Sequence, residues 1–294
     1  MRYVLENNNL RVEIDSFGAE LKSVKDKVSN QEYMWQGDPA YWGRTSPVLF
    51  PFVGSLKDAS YRYEGNEYKM GQHGFARDME HALVSQTDSS IYFELSSNEE
   101  TLKKYPFSFL LKIGYELEDN AVKVIWEVEN NSADEQLHFS IGAHPAFNCP
   151  IHGEENKAGY KFYFADANEI HHHGHTDTGL SIEEDVLLPL ENNRAIITPE
   201  FFDGSTYIIE GRQTNEVALE DPDGNRMVSV SFDMPLFALW SPPGKNAPFV
   251  CIEPWCGRCD AADFEGTLSE RAFNNTLDAG KTFQTFYTMT FGQK

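Results

Sequence analysis

The chain has 294 residues, enough to bury an apolar core without disulfides or structural metals. Its 24 lysines and arginines stand against 46 aspartates and glutamates, a formal net charge of -22 that repels phosphate backbones and anionic lipid surfaces. The N-terminus lacks the apolar core of a signal peptide, and no stretch approaches the roughly 20 apolar residues of a membrane span. The sequence therefore predicts a cytoplasmic protein without nucleic-acid or membrane partners.

Short runs of β-branched and aromatic residues, separated by turn-forming residues, predict an all-β fold. In the clearest run, residues 121–129 (AVKVIWEVE), apolar and mostly polar residues alternate as in a half-buried strand. Asp119 and Asn120 tolerate the left-handed conformations of a hairpin turn, so residues 107–117 should pair with this run antiparallel. Turns are also predicted at Gly65-Asn66 and around Gly224. Further strand candidates are YVLEN, LRVEID, IYFELSS, QLHFSIG, KFYFAD, STYIIEG, LFALWS, PFVCIEP and TFYTMTF.

Helical signals are few. They comprise a turn at residues 38–42 (DPAYW), a short helix in residues 98–105 that Pro106 ends, and another around residues 261–266 (AADFEG). So many strands with so few helices favour one large antiparallel β-sandwich over alternating α/β layers. Because no internal repeat or linker divides the chain, residues 1–294 are predicted to form a single domain.

Two stretches have spacings found in metal sites. The first is HHHGH, residues 171–175, in which only alternate histidines can converge because successive side chains of an extended chain point to opposite sides. Its polar surroundings predict an exposed loop rather than a functional metal site. The second is Cys256-x-x-Cys259, which lacks both a second such pair and a following helix. Structural or free thiols are expected there, and a structural zinc site is the weaker alternative.

Three ionisable residues lie in a more informative context. His73 stands in QHGFARD, and His144 stands in IGAHPAF where a strand ends and its side chain can face a cavity. For either histidine alone, a buried core role is the simpler interpretation. Glu253 ends the apolar run PFVCI, where a carboxylate is costly unless it is paired or used. It either pairs with an arginine such as Arg44 or Arg77, or acts as a general base.

Two tryptophans, Trp240 in LWSPPG and Trp255 in CIEPW, offer flat apolar faces suited to the C–H patches of sugars, although each alone is more typical of a core. Taken together, QHGFARD, GAHPAF, LWSPPG and CIEPW in a β-rich chain resemble the aldose 1-epimerase (galactose mutarotase) family. The likeness is to the galactose-mutarotase-related branch associated with bacterial lactose genes. It runs nearly end to end, from LRVEIDSFGAELKSV through PVLFPFVGSLKD to the strand of Glu253.

The resemblance implies a galactose mutarotase-like supersandwich that binds a small-molecule hexose, such as galactose or glucose, in a cleft on one concave sheet. It also implies interconversion of the α and β anomers by ring opening and closure. Glu253 would take the O1 proton, His144 would protonate the ring oxygen, and His73 would hold the ring oxygen or a neighbouring hydroxyl. No metal or organic cofactor is expected, because positioned acid and base groups contribute roughly 10²–10⁴-fold each to a reaction that already proceeds in water.

The family also contacts its sugar through an arginine and an aspartate. The resemblance assigns the first role to Arg44 or Arg77. For the aspartate it offers Asp203 in PEFFDGS, with Asp233 in SFDMP as second choice. The protein is expected to be a monomer or a homodimer.

Departures from the family pattern keep two alternatives open. Ala143 and Ala146 replace an asparagine and an aromatic residue beside the second histidine, and Ser55 follows Gly54 where many relatives in this branch carry an arginine. One alternative is a carbohydrate-binding or sensing protein that has lost catalysis. The other is a hexose-6-phosphate mutarotase, in which three cations would bind the phosphate, namely Arg44, Lys57 and Arg77.

Overall fold

The computed structural model describes residues 1–154, 156–204 and 206–293. Its strands are β1 (Arg2–Glu6), β2 (Leu10–Asp15), β3 (Glu20–Asp26), β4 (Val48–Leu49), β5 (Ser60–Tyr63), β6 (Asn66–Lys69), β7 (Ala82–Gln86), β8 (Ser90–Ser96), β9 (Phe109–Glu118), β10 (Ala121–Asn130), β11 (Leu137–Phe139), β12 (Ile141–Ala143), β13 (Ala146–Asn148), β14 (Lys161–Phe164), β15 (Ile170–His175), β16 (Ser181–Leu188), β17 (Arg194–Ile196), β18 (Tyr207–Glu210), β19 (Glu216–Glu220), β20 (Arg226–Phe232), β21 (Leu236–Trp240), β22 (Phe249–Cys256), β23 (Asn275–Leu277) and β24 (Thr282–Gln293). The helices of the described residues are α1 (Glu99–Lys104) and three short 3₁₀ turns, Lys57–Ala59, Ala76–Asp78 and Leu268–Glu270.

Two large antiparallel sheets form the body of the described chain. One has nine strands in the order β17-β14-β19-β20-β24-β10-β9-β8-β7. The other runs β16-β15-β18-β21-β22-β12-β4, with β13 also paired to β22. The smaller sheets are a three-stranded sheet of β1, β2 and β3, a pair of β5 and β6, and a pair of β11 and β23. This architecture confirms the predicted antiparallel β-sandwich with few short helices.

The main core lies between the two large sheets. Phe237 of β21 contacts Phe232 of β20, with ring centroids 5.3 Å apart, and Phe164 of β14, with ring centroids 6.4 Å apart. In β10, Val124 and Trp126 are fully buried, as the alternating pattern predicts. Because side chains alternate along each strand, the second face of β21 and β22 points away from this core.

The predicted turns are confirmed. Asp119 joins β9 to β10 at φ 48°, Gly65 joins β5 to β6 at φ 78°, and Gly224 joins β19 to β20 at φ 88°. Each lies in the left-handed region that glycine and Asp tolerate best. The helix in residues 98–105 is also confirmed, because Asn98 caps α1 and its side chain accepts hydrogen bonds from two backbone N–H groups.

Three local predictions are wrong. HHHGH is strand β15 rather than a loop, since it pairs with both β16 and β18. Residues 261–266 form no helix, because Ala261 bridges to Ser181 and the backbone N–H of Ala262 donates to the Ser181 carbonyl. QLHFSIG is two strands, because β11 pairs with β23 whereas β12 pairs with β22 and β4. In each case long-range pairing overrides the local pattern.

None of the helices among the described residues combines the length and apolar character needed to cross a membrane.

Candidate active site

A cavity of about 390 Å³ opens on the face of the eight-stranded sheet that points away from the main core. The alternation of β22 creates this arrangement: Val250 and Ile252 pack into the core, whereas Glu253 and Trp255 line the cavity. Trp240, on the neighbouring strand β21, lines it as well. Such a volume is in the range of small-molecule sites.

Glu253 and His144 meet at the bottom of this cavity. Glu253 is 1% exposed and His144 is 6% exposed, and the Glu253 Oε2 lies 3.4 Å from the His144 Nε2. Neither the Glu253 Oε2 nor the His144 Nδ1 has a hydrogen-bond partner among the described residues. Buried polar atoms are nearly always satisfied, so unpartnered atoms beside a cavity indicate a place for a polar ligand. No arginine pairs with Glu253 in the described chain, which leaves the structural ion-pair interpretation without support.

Burial sets the protonation of this pair. It raises the pKa of the Glu253 carboxyl well above its ordinary value, and the Trp255 side chain opposes that shift. Burial, together with the positive charges of Arg77 and Arg44, lowers the pKa of His144 to about 3. Burial therefore favours the uncharged form of both groups. With both groups uncharged, the pair carries a single dissociable proton, on the carboxyl.

Aromatic rings, rather than hydrogen bonds, orient the His144 imidazole. Trp42 stacks on it with ring centroids 4.6 Å apart and an interplanar angle of 26°. Trp240 and His73 approach edge-on, at centroid distances of 5.2 and 5.6 Å. Trp42 was not among the predicted site residues, although it stands in the DPAYW turn. Nothing in that local sequence connects it to a histidine about a hundred residues later.

His73 is held by the backbone of Gly54. The Gly54 N–H donates to the His73 Nδ1 at 3.1 Å, and the His73 N–H donates to the Gly54 carbonyl at 2.9 Å. Burial, followed by the charge of His144, lowers the pKa of His73 well below 6.5. A neutral ring that accepts at Nδ1 carries its hydrogen on Nε2, so His73 is a fixed donor lining the cavity. Gly54 has φ +72°, and a Cβ there would stand 2.5 Å from the Cys259 Cβ.

The structure distinguishes between the two candidate arginines. Arg77 lines the cavity, and its Nη2 donates to the Gln72 carbonyl at 2.8 Å. Burial lowers the pKa of Arg77 to about 10, so it stays a cation at neutral pH. Arg44 does not line the cavity, and its Nη2 binds Asp78 at 2.7 Å.

The predicted aspartates lie elsewhere. The Asp203 carboxylate accepts a hydrogen bond from the Gly244 N–H at 3.2 Å, and Asp203 does not line the cavity. Asp233 is exposed and pairs with Arg212. The carboxylate at the cavity rim is Asp177, in a tight turn directly after β15. The sequence offered no signal for it beyond a polar stretch.

Ser55 helps to place the Asp177 turn. A Cβ on Gly179 would stand 2.8 Å from the Ser55 hydroxyl oxygen, so the turn packs directly against residue 55. Ser55 therefore supports the turn that carries Asp177.

Both predicted tryptophans reach the cavity. Trp255 is anchored because its indole N–H donates to the Ala143 carbonyl at 3.1 Å. Trp240 packs edge-on against Trp42, with ring centroids 5.5 Å apart. Together these indoles give the cavity apolar walls beside its acid and base groups.

The HHHGH histidines have separate partners along β15. The His171 Nδ1 lies 3.0 Å from the Asp185 carboxylate, and His172 packs against Tyr207 with ring centroids 4.4 Å apart. The His173 Nδ1 lies 3.2 Å from the Glu184 carbonyl oxygen. His175 lines the cavity near its rim.

All four cysteines are buried and free. Cys256 is the last residue of β22, and Cys259 lines the cavity beside Gly54. Cys251 shares the Glu253 face of β22, as its even spacing predicts. Its Sγ and ligand atoms of His144 and Glu253 all lie within 4.8 Å of one another.

Comparison with known proteins agrees with this geometry. The aldose 1-epimerase family model matches residues 1–290. The chain belongs to the aldose 1-epimerase family. A galactose mutarotase related enzyme from Lactobacillus acidophilus is 37% identical to this family member, with each chain fully covered and a TM-score of 0.93. A galactose mutarotase-like protein from Lactobacillus casei is 31% identical, with 99% of each chain covered and a TM-score of 0.93.

Among curated proteins, the chromosomal protein LacX of Lactococcus lactis subsp. lactis is 32% identical over 278 residues, which are 92% of each chain. The family resemblance of the sequence motifs is thereby confirmed. So is the galactose mutarotase-like form of the sandwich.

Proposed function

We propose that this protein is an aldose 1-epimerase that interconverts the α and β anomers of a free hexose such as galactose or glucose. One observation carries the proposal: a buried carboxyl and a buried imidazole, 3.4 Å apart, face one small-molecule cavity. Membership in the aldose 1-epimerase family supports the same chemistry. The similarity to a galactose mutarotase related enzyme supports hexose as the substrate class.

The spacing of the pair suits the reaction. The O1 hydroxyl and the ring oxygen are bonded to the same carbon, C1, so the base for one and the acid for the other must be close neighbours. Glu253 and His144 meet that requirement, with Glu253 as base and His144 as acid. The neutral His73 would donate its Nε2–H to the ring oxygen or an adjacent hydroxyl, and so hold the sugar in place.

The proton count balances with the single proton of the pair. In the tautomer with that proton on His144, Glu253 takes the O1 proton while His144 protonates the ring oxygen. The bond from C1 to the ring oxygen breaks, and C1=O1 forms. Glu253 has then gained a proton and His144 has lost one, which is the neutral tautomer that burial favours. Rotation about C1–C2 and reversal of both transfers close the ring as the other anomer.

The charges around the cavity favour a free sugar over a phosphorylated one. The Arg44 guanidinium is paired with Asp78, and the Lys57 ammonium is paired with Glu265. Arg77 is held by the Gln72 carbonyl, with its Nε 3.7 Å from the Asp78 carboxylate. A carboxylate, Asp177, stands at the rim. A phosphate would meet that negative charge, and two of its three candidate cations, Arg44 and Lys57, are already paired with carboxylates.

Polarimetry tests the proposal. Freshly dissolved α-galactose or α-glucose is followed to equilibrium with and without enzyme, beside glucose 6-phosphate and galactose 6-phosphate. We expect faster equilibration of the free hexoses. A preference for the 6-phosphates would overturn the substrate class. Saturable binding of galactose without acceleration of any sugar would favour the carbohydrate-binding alternative, which the alanine at position 143 motivates.

The variant Asp177→Asn tests whether the Asp177 carboxylate binds a sugar hydroxyl. A charge-assisted hydrogen bond from a sugar hydroxyl is worth about 1.5–3 kcal/mol, so KM for galactose should rise about 10- to 100-fold while kcat is kept. Asp203→Asn is the matched control, because Asp203 does not line the cavity. An unchanged KM in Asp177→Asn, or a raised KM in Asp203→Asn, contradicts this assignment.

A further inference from the structure

Two side chains that line the cavity, His144 and Glu253, form with the neighbouring Cys251 a set that a metal ion could use. His144, Cys251 and Glu253 each offer one ligand atom, and these atoms lie within 4.8 Å of one another. All three residues are buried, with Cys251 fully enclosed. The neighbours beside Cys251 are apolar, among them Trp35, Ala146 and Phe249. The set is therefore compact and screened from bulk water.

The backbone holds these three residues in register. Cys251 and Glu253 are two positions apart on β22, so their side chains share one face of the strand. His144 lies just before β13, which pairs with β22 through Ala146 opposite Cys251. Trp42 stacks on the His144 ring and limits its rotation. Ligands held on a strand and directly beside its paired strand need little reorganisation to bind an ion.

The distances suit a tetrahedral ion. Zinc binds nitrogen, oxygen and sulfur at about 2.0–2.3 Å, which places two ligand atoms of a tetrahedral site about 3.5 Å apart. The Glu253 Oε2 and His144 Nε2 already stand 3.4 Å apart. Small side-chain rotations of Cys251 would close the remaining gap. The fourth position would face the cavity and take water.

We propose that His144, Cys251 and Glu253 form a site for a soft divalent cation such as Zn²⁺ or Cd²⁺, and that the cation and the sugar exclude each other. A thiolate and an imidazole favour such ions over Mg²⁺ and Ca²⁺. On binding, the Cys251 thiol proton and the dissociable proton of the Glu253–His144 pair pass to solvent. The cation then occupies both the base and the acid. The inhibition of mutarotation by the cation rests on the proposed function, whereas the binding of the cation does not.

Cadmium titration of the metal-stripped full chain tests the site without any activity assay. We expect one Cd²⁺ per chain, a thiolate-to-cadmium charge-transfer band in the ultraviolet, and a higher melting temperature with the ion bound. Cys251→Ala and Cys251→Ser should lose the band and bind at least about 10-fold more weakly. Two controls should keep it: Cys149→Ala, a buried thiol outside the set, and Cys259→Ala, a thiol that lines the cavity.

The outcomes separate the two proposals. A band that survives in both Cys251 variants, or one that is absent from the wild type, overturns the metal site. A band lost in Cys259→Ala but kept in Cys251→Ser moves the thiolate elsewhere and also overturns it. If the band appears but no sugar is equilibrated by the metal-free protein, the metal site stands and the proposed function fails. Where mutarotation is present, galactose should displace the ion and a chelator should restore the rate.

Discussion

Replacing Glu253 with glutamine removes the proposed base and preserves the shape of the side chain. The carboxyl is 1% exposed and lies 3.4 Å from its acid partner, so water has little access to replace it. An amide cannot take the O1 proton. A positioned general base contributes about 10²–10⁴-fold, which corresponds to about 3–5 kcal/mol in the activation free energy. We expect kcat to fall by that factor in Glu253→Gln, with sugar binding retained.

The assay is polarimetry of α-galactose, with binding measured separately by calorimetry. Glu220→Gln is a control matched in burial, because Glu220 is also 1% exposed but pairs with Arg194 on the opposite sheet. It should lose stability and keep its rate below its melting temperature. Wild-type kcat in Glu253→Gln would refute the assignment of the base.

The pH dependence of the unfolding free energy is a second measurement on Glu253→Gln. The pKa of Glu253 is raised on folding, so the unfolded carboxyl releases its proton first as the pH rises through about 4.5. The wild type therefore loses unfolding free energy above that pH, by up to about 1.4 kcal/mol per pH unit. Glu253→Gln should lack this loss and gain stability relative to the wild type as the pH rises above about 4.5. A parallel pH dependence in the two proteins would show that the carboxyl is not perturbed.

Other consequences concern pH and ring placement. Because the pKa of His144 is lowered to about 3, kcat/KM should stay level as the pH falls through 6.5, where an ordinary imidazole would titrate. A drop in kcat/KM centred near pH 6.5 would contradict the lowered pKa of His144. Trp42→Ala removes the ring stacked on His144 and should lower kcat about 100-fold. Trp42→Phe keeps an aromatic ring at this position and should recover much of the rate. Equal losses of kcat in the two variants would exclude the stacking role. Burial lowers the pKa of His81 to about 4, so the free energy of unfolding should fall as the pH drops from 6.5 to 4. In equilibrium denaturation, His81→Gln should reduce this pH dependence by about 1.4 kcal/mol per pH unit. An unchanged pH dependence in His81→Gln would contradict the lowered pKa.

Local sequence patterns predict the strands that carry the site well, because a two-residue period needs no knowledge of the partner strand. The face of β22 that holds Cys251 and Glu253 follows from the sequence in this way. The same reasoning fails for HHHGH, whose strand character comes from pairing with β16 and β18. It fails again at residues 261–266, where tertiary backbone contacts replace a helix.

The far walls of the cavity depend on which distant segments the sheets bring together. Trp42 reaches His144 only because the chain between β3 and β4 folds across the β21–β22 face. Asp177 reaches the rim because a turn packs on Ser55. Neither contact leaves a periodic signal. The family resemblance points to Asp203 as the sugar-binding aspartate, but its carboxylate accepts a hydrogen bond from the Gly244 N–H and lies outside the cavity.

Exchange spectroscopy by NMR at chemical equilibrium measures the proposed reaction itself. In a solution of galactose with catalytic amounts of the protein, cross-peaks between the α- and β-anomeric protons report the interconversion rate. We expect that rate to rise in proportion to protein concentration, and the protein-dependent part of it to fall about 10²–10⁴-fold when Glu253→Gln is added instead. Line broadening that shows bound sugar, with an interconversion rate unchanged at every protein concentration, would contradict the assignment of this protein as a mutarotase.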